Sequence, residues 1–176
     1  GDIAFRGTMP TTDIGVSITS NVNGYNLIGN PYPSYVAANN SANGTKNLLL
    51  ANQNSLTEQT LWFWNETTGS YDQINHASTA RNIKPTEGFF IKANGAGTFS
   101  VTETMQSHGA DTFQRTISRP EILLTLSDGE ITRTADIFYI DGTTTGFDNG
   151  YDSSIFGSGD NSFAVYTRTV LGDSDN

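Results

Sequence analysis

Short runs of alternating apolar and polar residues recur along the chain, each bounded by Gly, Asn, Asp or Pro. That period of two marks strands with one buried face. Residues 14–19 alternate, and Val22-Asn23-Gly24 then interrupts the pattern before Tyr25-Asn26-Leu27-Ile28. Asn and Gly both tolerate positive φ, so this dipeptide predicts a tight hairpin turn. Residues 60–64 predict a strand, with a polar turn over 65–70 leading to Tyr71. Residues 88–93 predict another, ended by Asn94-Gly95, and 98–104 alternate again. Residues 121–126 and 136–140 flank Asp128-Gly129 and read as a pair, and 163–169 close the series. Helical signal is sparse. Residues 47–54, with three successive leucines, predict one short turn, and 151–156 predict a second. Neither keeps the 3.6-residue period of a packed helix.

Many short strands, dense turns and almost no helix predict an all-β fold, a β-sandwich of jelly-roll type. The 176 residues suit one domain, 1–176, with a substantial core. No repeat of fixed period is visible, and residues 108–120 lack linker composition. Gly, Thr, Ser and Asn dominate, charged residues reach only 15% and aromatics 11%, which excludes a disordered solvating chain. Gly1-Asp2-Ile3 is a poor native start and no signal peptide precedes it, so an excised internal fragment of a longer protein is expected.

The formal net charge of −9 argues against nucleic acid and anionic membranes as partners, since both demand clustered Lys and Arg. With no cysteine, disulfides and thiolate metal sites are excluded. Catalysis has thin support. His76 and His108 are the two histidines, and no nucleophile elbow, zinc-protease or phosphate-loop motif is present. Carboxylates such as Glu58, Glu87 and Glu103 show no spacing that selects a glycosidase pair. The chain is therefore expected not to be an enzyme.

Two constellations carry the binding chemistry. Trp62 and Trp64 fall on one face of their strand and Phe63 on the other. If Phe63 and Leu61 point inward, the two tryptophans form an outward platform, to which Tyr71 adds, and flat aromatic platforms stack on the apolar faces of sugar rings. The competing reading places the Trp pair in the core, where large aromatics usually pack. The second constellation is acidic. Asp148, Asn149, Asp152 and Asp160 lie in one Gly-rich stretch with oxygen chemistry suited to Ca2+, although not in EF-hand spacing. Ordinary Asx turns are the plainer account. Asn43-Gly44-Thr45 and Asn65-Glu66-Thr67 match N-glycosylation acceptors.

The run from Gly24 to Ser34, GYNLIGNPYPS, is the most distinctive, followed by Leu61-Trp62-Phe63-Trp64-Asn65, by residues 83–93, by Phe113-Gln114-Arg115 and by residues 146–152. In this order the segments resemble a β-rich module of large secreted proteins of Bacteroidetes, lying shortly before a C-terminal sorting domain for type IX secretion. The resemblance spans residues 24–167. It implies delivery to the outside of the cell or its surface, and an attached catalytic or adhesive domain; a bacterial origin makes the glycosylation acceptors incidental. Within the run, Pro31 and Pro33 fix φ and remove two ladder donors, which predicts a rigid corner. The same corner could present Tyr32 and Tyr35 to a ligand.

Together these features lead to one expectation, a noncatalytic carbohydrate-binding module of a polysaccharide-degrading enzyme. Trp62, Trp64 and Tyr71 carry it first, and Tyr32 and Tyr35 second. Arg81, Lys84 and Lys92 offer a local basic patch for an anionic, marine-type glycan, with Ca2+ as a bridging ion. The alternative is a structural spacer or protein-interaction domain with no glycan site. Exposure of the two tryptophans separates the readings.

Overall fold

The computed structural model describes residues 7–108, 119–156 and 163–169. The strands are short and antiparallel and build an all-β sandwich. In chain order they are β1 (Ile14–Ile18), β2 (Tyr25–Gly29), β3 (Tyr35–Ala37), β4 (Leu61–Asn65), β5 (Ser70–Ile74), β6 (Asn82–Ile83), β7 (Gly88–Lys92), β8 (Gly97–Val101), β9 (Gln106–Ser107), β10 (Glu121–Ser127) and β11 (Thr132–Phe138). A short helix, α1 (Leu48–Asn52), is capped by the Asn47 side chain, which accepts from the Leu50 N–H, and a single 3-10 turn spans Glu103–Met105. The strands form a four-stranded sheet in the order β2-β7-β4-β5, a three-stranded sheet β6-β3-β9, the pair β1-β8 and the hairpin β10-β11.

Alternation decides what each strand buries. Ile28 of β2, Leu61 and Phe63 of β4, and Phe89 and Ile91 of β7 point to one side of the four-stranded sheet. They join Ile18, Val36, Phe99 and Val101 from the other sheets and Leu48 and Leu49 of α1 in a single apolar core. The β4-β5 hairpin forms where the turn residues predict it, and the β10-β11 hairpin turns at Asp128-Gly129 but its second strand starts at Thr132, four residues before the expected 136–140, and ends at Phe138. Residues 163–169, by contrast, carry alternation but no ladder, and 151–156 form turns rather than a helix.

The Asn23-Gly24 turn departs from expectation. It does not close a hairpin, because β1 pairs with β8 and β2 with β7. The Asn26 side chain accepts from the Thr19 N–H at 3.1 Å and donates to the Thr19 C=O at 2.8 Å. A side chain thus stands where the next rung of a hairpin ladder would be, and the chain turns a corner between sheets. Gly24, at φ +78°, makes that corner.

The GNPYPS corner is rigid, as the prolines require, and side chains lock it. Asn30 is buried; its Nδ2 donates to the carbonyls of Ser34 (2.8 Å), Ile83 (3.1 Å) and Lys84 (3.1 Å), and its Oδ1 accepts from the Tyr32 N–H (2.9 Å). The Tyr32 hydroxyl lies 2.8 Å from the Val101 carbonyl and 2.9 Å from that of Thr12, so its one proton serves two strand ends. Burial pushes the Tyr32 phenol up, with Asp13 and Glu103 adding to the effect. Tyr32 is 2% exposed, so it braces the core and presents nothing to a ligand.

Asn30→Ala strands the buried Tyr32 N–H and Ile83 carbonyl, while the Ser34 and Lys84 carbonyls are part-buried, and each unsatisfied buried group costs about 1–3 kcal/mol. The expected outcome is a loss of about 3 kcal/mol in urea unfolding with an unchanged denaturant slope. A loss below about 0.5 kcal/mol would show that the corner is not held this way.

Candidate aromatic face and its covering strap

β4 is apolar at four successive positions, Leu61-Trp62-Phe63-Trp64, so both of its faces are apolar. Leu61 and Phe63 enter the core. Trp62 and Trp64 point to the outer side of the four-stranded sheet. Register brings Tyr25 and Leu27 of β2, Phe90 and Lys92 of β7, and Tyr71 of β5 to the same side. The aromatic platform expected from the sequence therefore exists as a surface of the sheet.

Residues 148–156 cross it. The Phe156 ring packs against Tyr71 at 4.2 Å, Tyr25 at 4.5 Å, Phe90 at 4.9 Å and Trp62 at 5.9 Å between ring centroids. Trp62 is 0% exposed although it lies outside the main core, and its Nε1 donates to the Ser154 carbonyl at 3.2 Å. Trp64 is 58% exposed, with Tyr71 against one edge at 5.1 Å. The tryptophans thus share a face, as alternation requires, yet divide in exposure. Neither an open two-Trp platform nor a Trp pair in the central core describes them.

Side chains from the sheet margin tie the strap down. Asn149 Oδ1 accepts from the Gln59 N–H at 2.7 Å, and its Nδ2 donates to the Thr57 carbonyl at 3.2 Å. Asn75 Nδ2 donates to the Tyr151 carbonyl at 2.7 Å and to Ser153 Oγ at 2.9 Å. The His76 N–H donates to the Gly150 carbonyl at 2.8 Å. Gly150 sits at φ +93°, and a Cβ there would lie 2.9 Å from His76 Cδ2, so no larger residue fits. Glu58 closes the clasp. It is 4% exposed, accepts the Ser154 N–H at 2.9 Å on one oxygen, and accepts Lys92 Nζ at 2.8 Å on the other. That hydrogen bond holds the Lys92 ammonium above its ordinary pKa. Glu58 is the buried partner and Lys92 the part-exposed one, so the pair bridges the strap to the solvent margin of the sheet.

The remaining sequence candidates separate in space. Arg81 pairs with Glu87 and lies 4.6 Å over the Phe63 ring, which belongs to the inner face. Lys92 stands on the outer face near Tyr25, at 5.6 Å. Lys84 is exposed in the turn before β7. The three cations therefore do not form one basic patch. Tyr35 is half-buried in β3, in a different sheet from Trp64.

In the acidic loop, Asp148 accepts from the Thr144 N–H at 2.5 Å, and Asp152 accepts from the Asp148 N–H at 2.7 Å. Asn149 turns to the Gln59 side, as described above. These oxygens accept from backbone N–H groups, two of them four residues earlier in the chain and one in the segment before β4. Among the described residues, no group of three His, Asp or Glu side chains is placed to hold a metal ion. Asp160 and residues 113–115 lie outside the described residues. A surface depression of about 170 Å³ beside α1, lined by Thr45, Leu50, Thr104 and Met105 among others, is smaller than the usual ligand cleft of several hundred Å³.

Sequence reasoning missed Phe156, Glu58, Asn75 and His76. A signal for the first was present, because a strand apolar on both faces needs a cover on each. No family model matches the chain, and no curated protein and no solved structure matches it either.

His76 reports on the strap. Its Nε2 pairs with Gln59 Oε1 at 3.0 Å, while its Nδ1 is buried with no hydrogen-bond partner among the described residues. Burial lowers its pKa from the ordinary 6.5, because a second ring proton would find no acceptor. The unfolded chain then binds the proton first. His76 therefore contributes stability in full above about pH 6.5, and this contribution declines as pH falls toward the folded pKa. Unfolding of wild type and His76→Gln, followed between pH 7.5 and 5, is expected to show a steeper acid decline for wild type. Parallel pH profiles would contradict the burial.

Proposed function

We propose that this chain is a noncatalytic structural and interaction module of a larger secreted protein, which spaces and orients its neighbours rather than capturing glycan. The observation that supports this is the strap. Among the described residues, the outer face of the four-stranded sheet carries the aromatic group that the sequence suggested for sugar stacking, and Trp62 there is buried under Phe156. Side-chain clamps at Asn30, Asn39, Asn52 and Asn75 suit a stiff spacer, since each ties segments far apart in sequence. Export, a bacterial source in the Bacteroidetes and an attached catalytic or adhesive domain rest on the resemblance of GYNLIGNPYPS and its companion segments.

A second reading keeps the carbohydrate-binding module in reduced form. It is favoured by Trp64, 58% exposed, and Leu27, 65% exposed, on the same outer face. Here one tryptophan and the Tyr71 edge would meet a glycan chain, weakly per site and usefully only through a tethered catalytic domain.

Affinity electrophoresis against neutral and anionic polysaccharides, with Ca2+ and with chelator, decides between them. The spacer reading expects unchanged mobility in every polymer. Retardation by one polymer that disappears in Trp64→Ala would overturn it in favour of the binding module, and retardation lost on chelation would place the site in the acidic loop.

A further inference from the structure

The β10-β11 hairpin stands apart from the sandwich core. Its turn is fixed by Asp128, whose Oδ1 accepts from the Glu130 N–H at 2.9 Å and the Ile131 N–H at 2.7 Å, with Gly129 at φ +97°. Arg119, just before β10, donates to the Ala77 carbonyl, and Arg133 of β11 donates to the Thr68 carbonyl. These contacts tie the hairpin to the body through the segment before β10 and through β11. Every residue of β10 is exposed, including Ile122 at 44%, Leu123 at 59%, and Leu124 and Leu126 at 37% each.

Two features make that exposure informative. Among the described residues, β10 has β11 as its one ladder neighbour, and none of them pairs with the backbone groups of its other edge. An isolated two-stranded ribbon is marginal in water, and natural edges are normally blunted by Lys, Pro, bulges or cover. From Ile122 to Ser127 there is no charge and no proline. Register then places Ile122, Leu124 and Leu126 on one face, opposite Ile137, Ala135 and Arg133.

The sequence of β10 also reads sensibly against itself. An antiparallel pairing centred on Leu124 sets Ile122 opposite Leu126, Leu124 opposite Leu124, Leu123 opposite Thr125 and Glu121 opposite Ser127. Apolar side chains meet apolar ones on the face that carries them, and no like charges oppose each other. A parallel pairing would line Glu121 against Glu121. The same operation on β11, centred on Ala135, sets Arg133 against Ile137, and Arg133 is already engaged by the body.

We propose that the β10 edge is a self-association surface, whose partner is a second copy of this chain. Two hairpins join about a two-fold axis through Leu124 into one antiparallel sheet, β11-β10-β10-β11. This isologous arrangement satisfies both edges with one contact. It involves none of the residues of the strap or the aromatic face and stands without the functional reading above.

The chain has no native cysteine, so single-cysteine variants read the register directly. Opposed residues of an antiparallel pair have Cα atoms about 4.5–5.5 Å apart, within disulfide reach. Leu126→Cys faces Ile122 of the second copy, and its own twin lies four residues along the strand, roughly 13 Å away. Sedimentation of wild type is expected to rise with concentration from 19.0 kDa toward twice that mass. Mild oxidation is expected to cross-link Leu124→Cys at least tenfold faster than Leu126→Cys, and Leu124→Lys, which opposes two ammonium groups, is expected to stay monomeric. A wild-type monomer throughout the micromolar to millimolar range, or equal cross-linking of the two cysteine variants, would overturn the proposal.

Discussion

The apolar character of β4 on both of its faces is the constraint on which the sandwich core and the strap both depend. Leu61 and Phe63 meet the sandwich core in the ordinary way. Trp62 and Trp64 leave a second apolar surface on the outer side of an antiparallel sheet, where water would normally be admitted. The strap over residues 148–156 supplies the second cover. Hydrogen bonds made by Glu58, Asn75, His76 and Asn149 clasp the strap at the sheet margin, beside the packing of Phe156.

Much of the fold was legible because its signals are local. Alternation marked β1, β2, β7 and β8, and turn residues marked the β4-β5 and β10-β11 hairpins. The leucine run with Asn47 before it marked α1. The two-residue strands β6 and β9 were not legible, since a pair of residues has no period. The Asn23-Gly24 turn misled because turn chemistry specifies a reversal of the chain and not the sheet into which the next strand goes. Here the Asn26 side chain took the place of the next rung.

The candidate site was half legible. Shared facing of Trp62, Trp64 and Tyr71 follows from a period of two, and register bears it out. Exposure does not follow, because it depends on a contact with residues nearly a hundred positions away. Asp148, Asn149 and Asp152 drew attention as oxygen donors for a cation, yet their partners are backbone N–H groups, which is equally good chemistry for the same atoms. Arg81, just before β6, lies over the inner-face Phe63 ring, whereas Lys92 of β7 lies on the outer face near Tyr25. Sequence spacing specifies side-chain direction within an element and says nothing of what a distant loop lays over it.

The central claim is that the strap closes the Trp62 part of the outer aromatic face in the folded protein. Its most direct test uses Trp62 as the probe. The chain has two tryptophans, so Trp64→Phe leaves Trp62 alone. The account predicts a blue-shifted emission and weak acrylamide quenching for that variant, with both lost when Phe156→Ala is added while the far-ultraviolet spectrum stays unchanged. Quenching of Trp62 as ready as that of a free indole, before any change at Phe156, would contradict it.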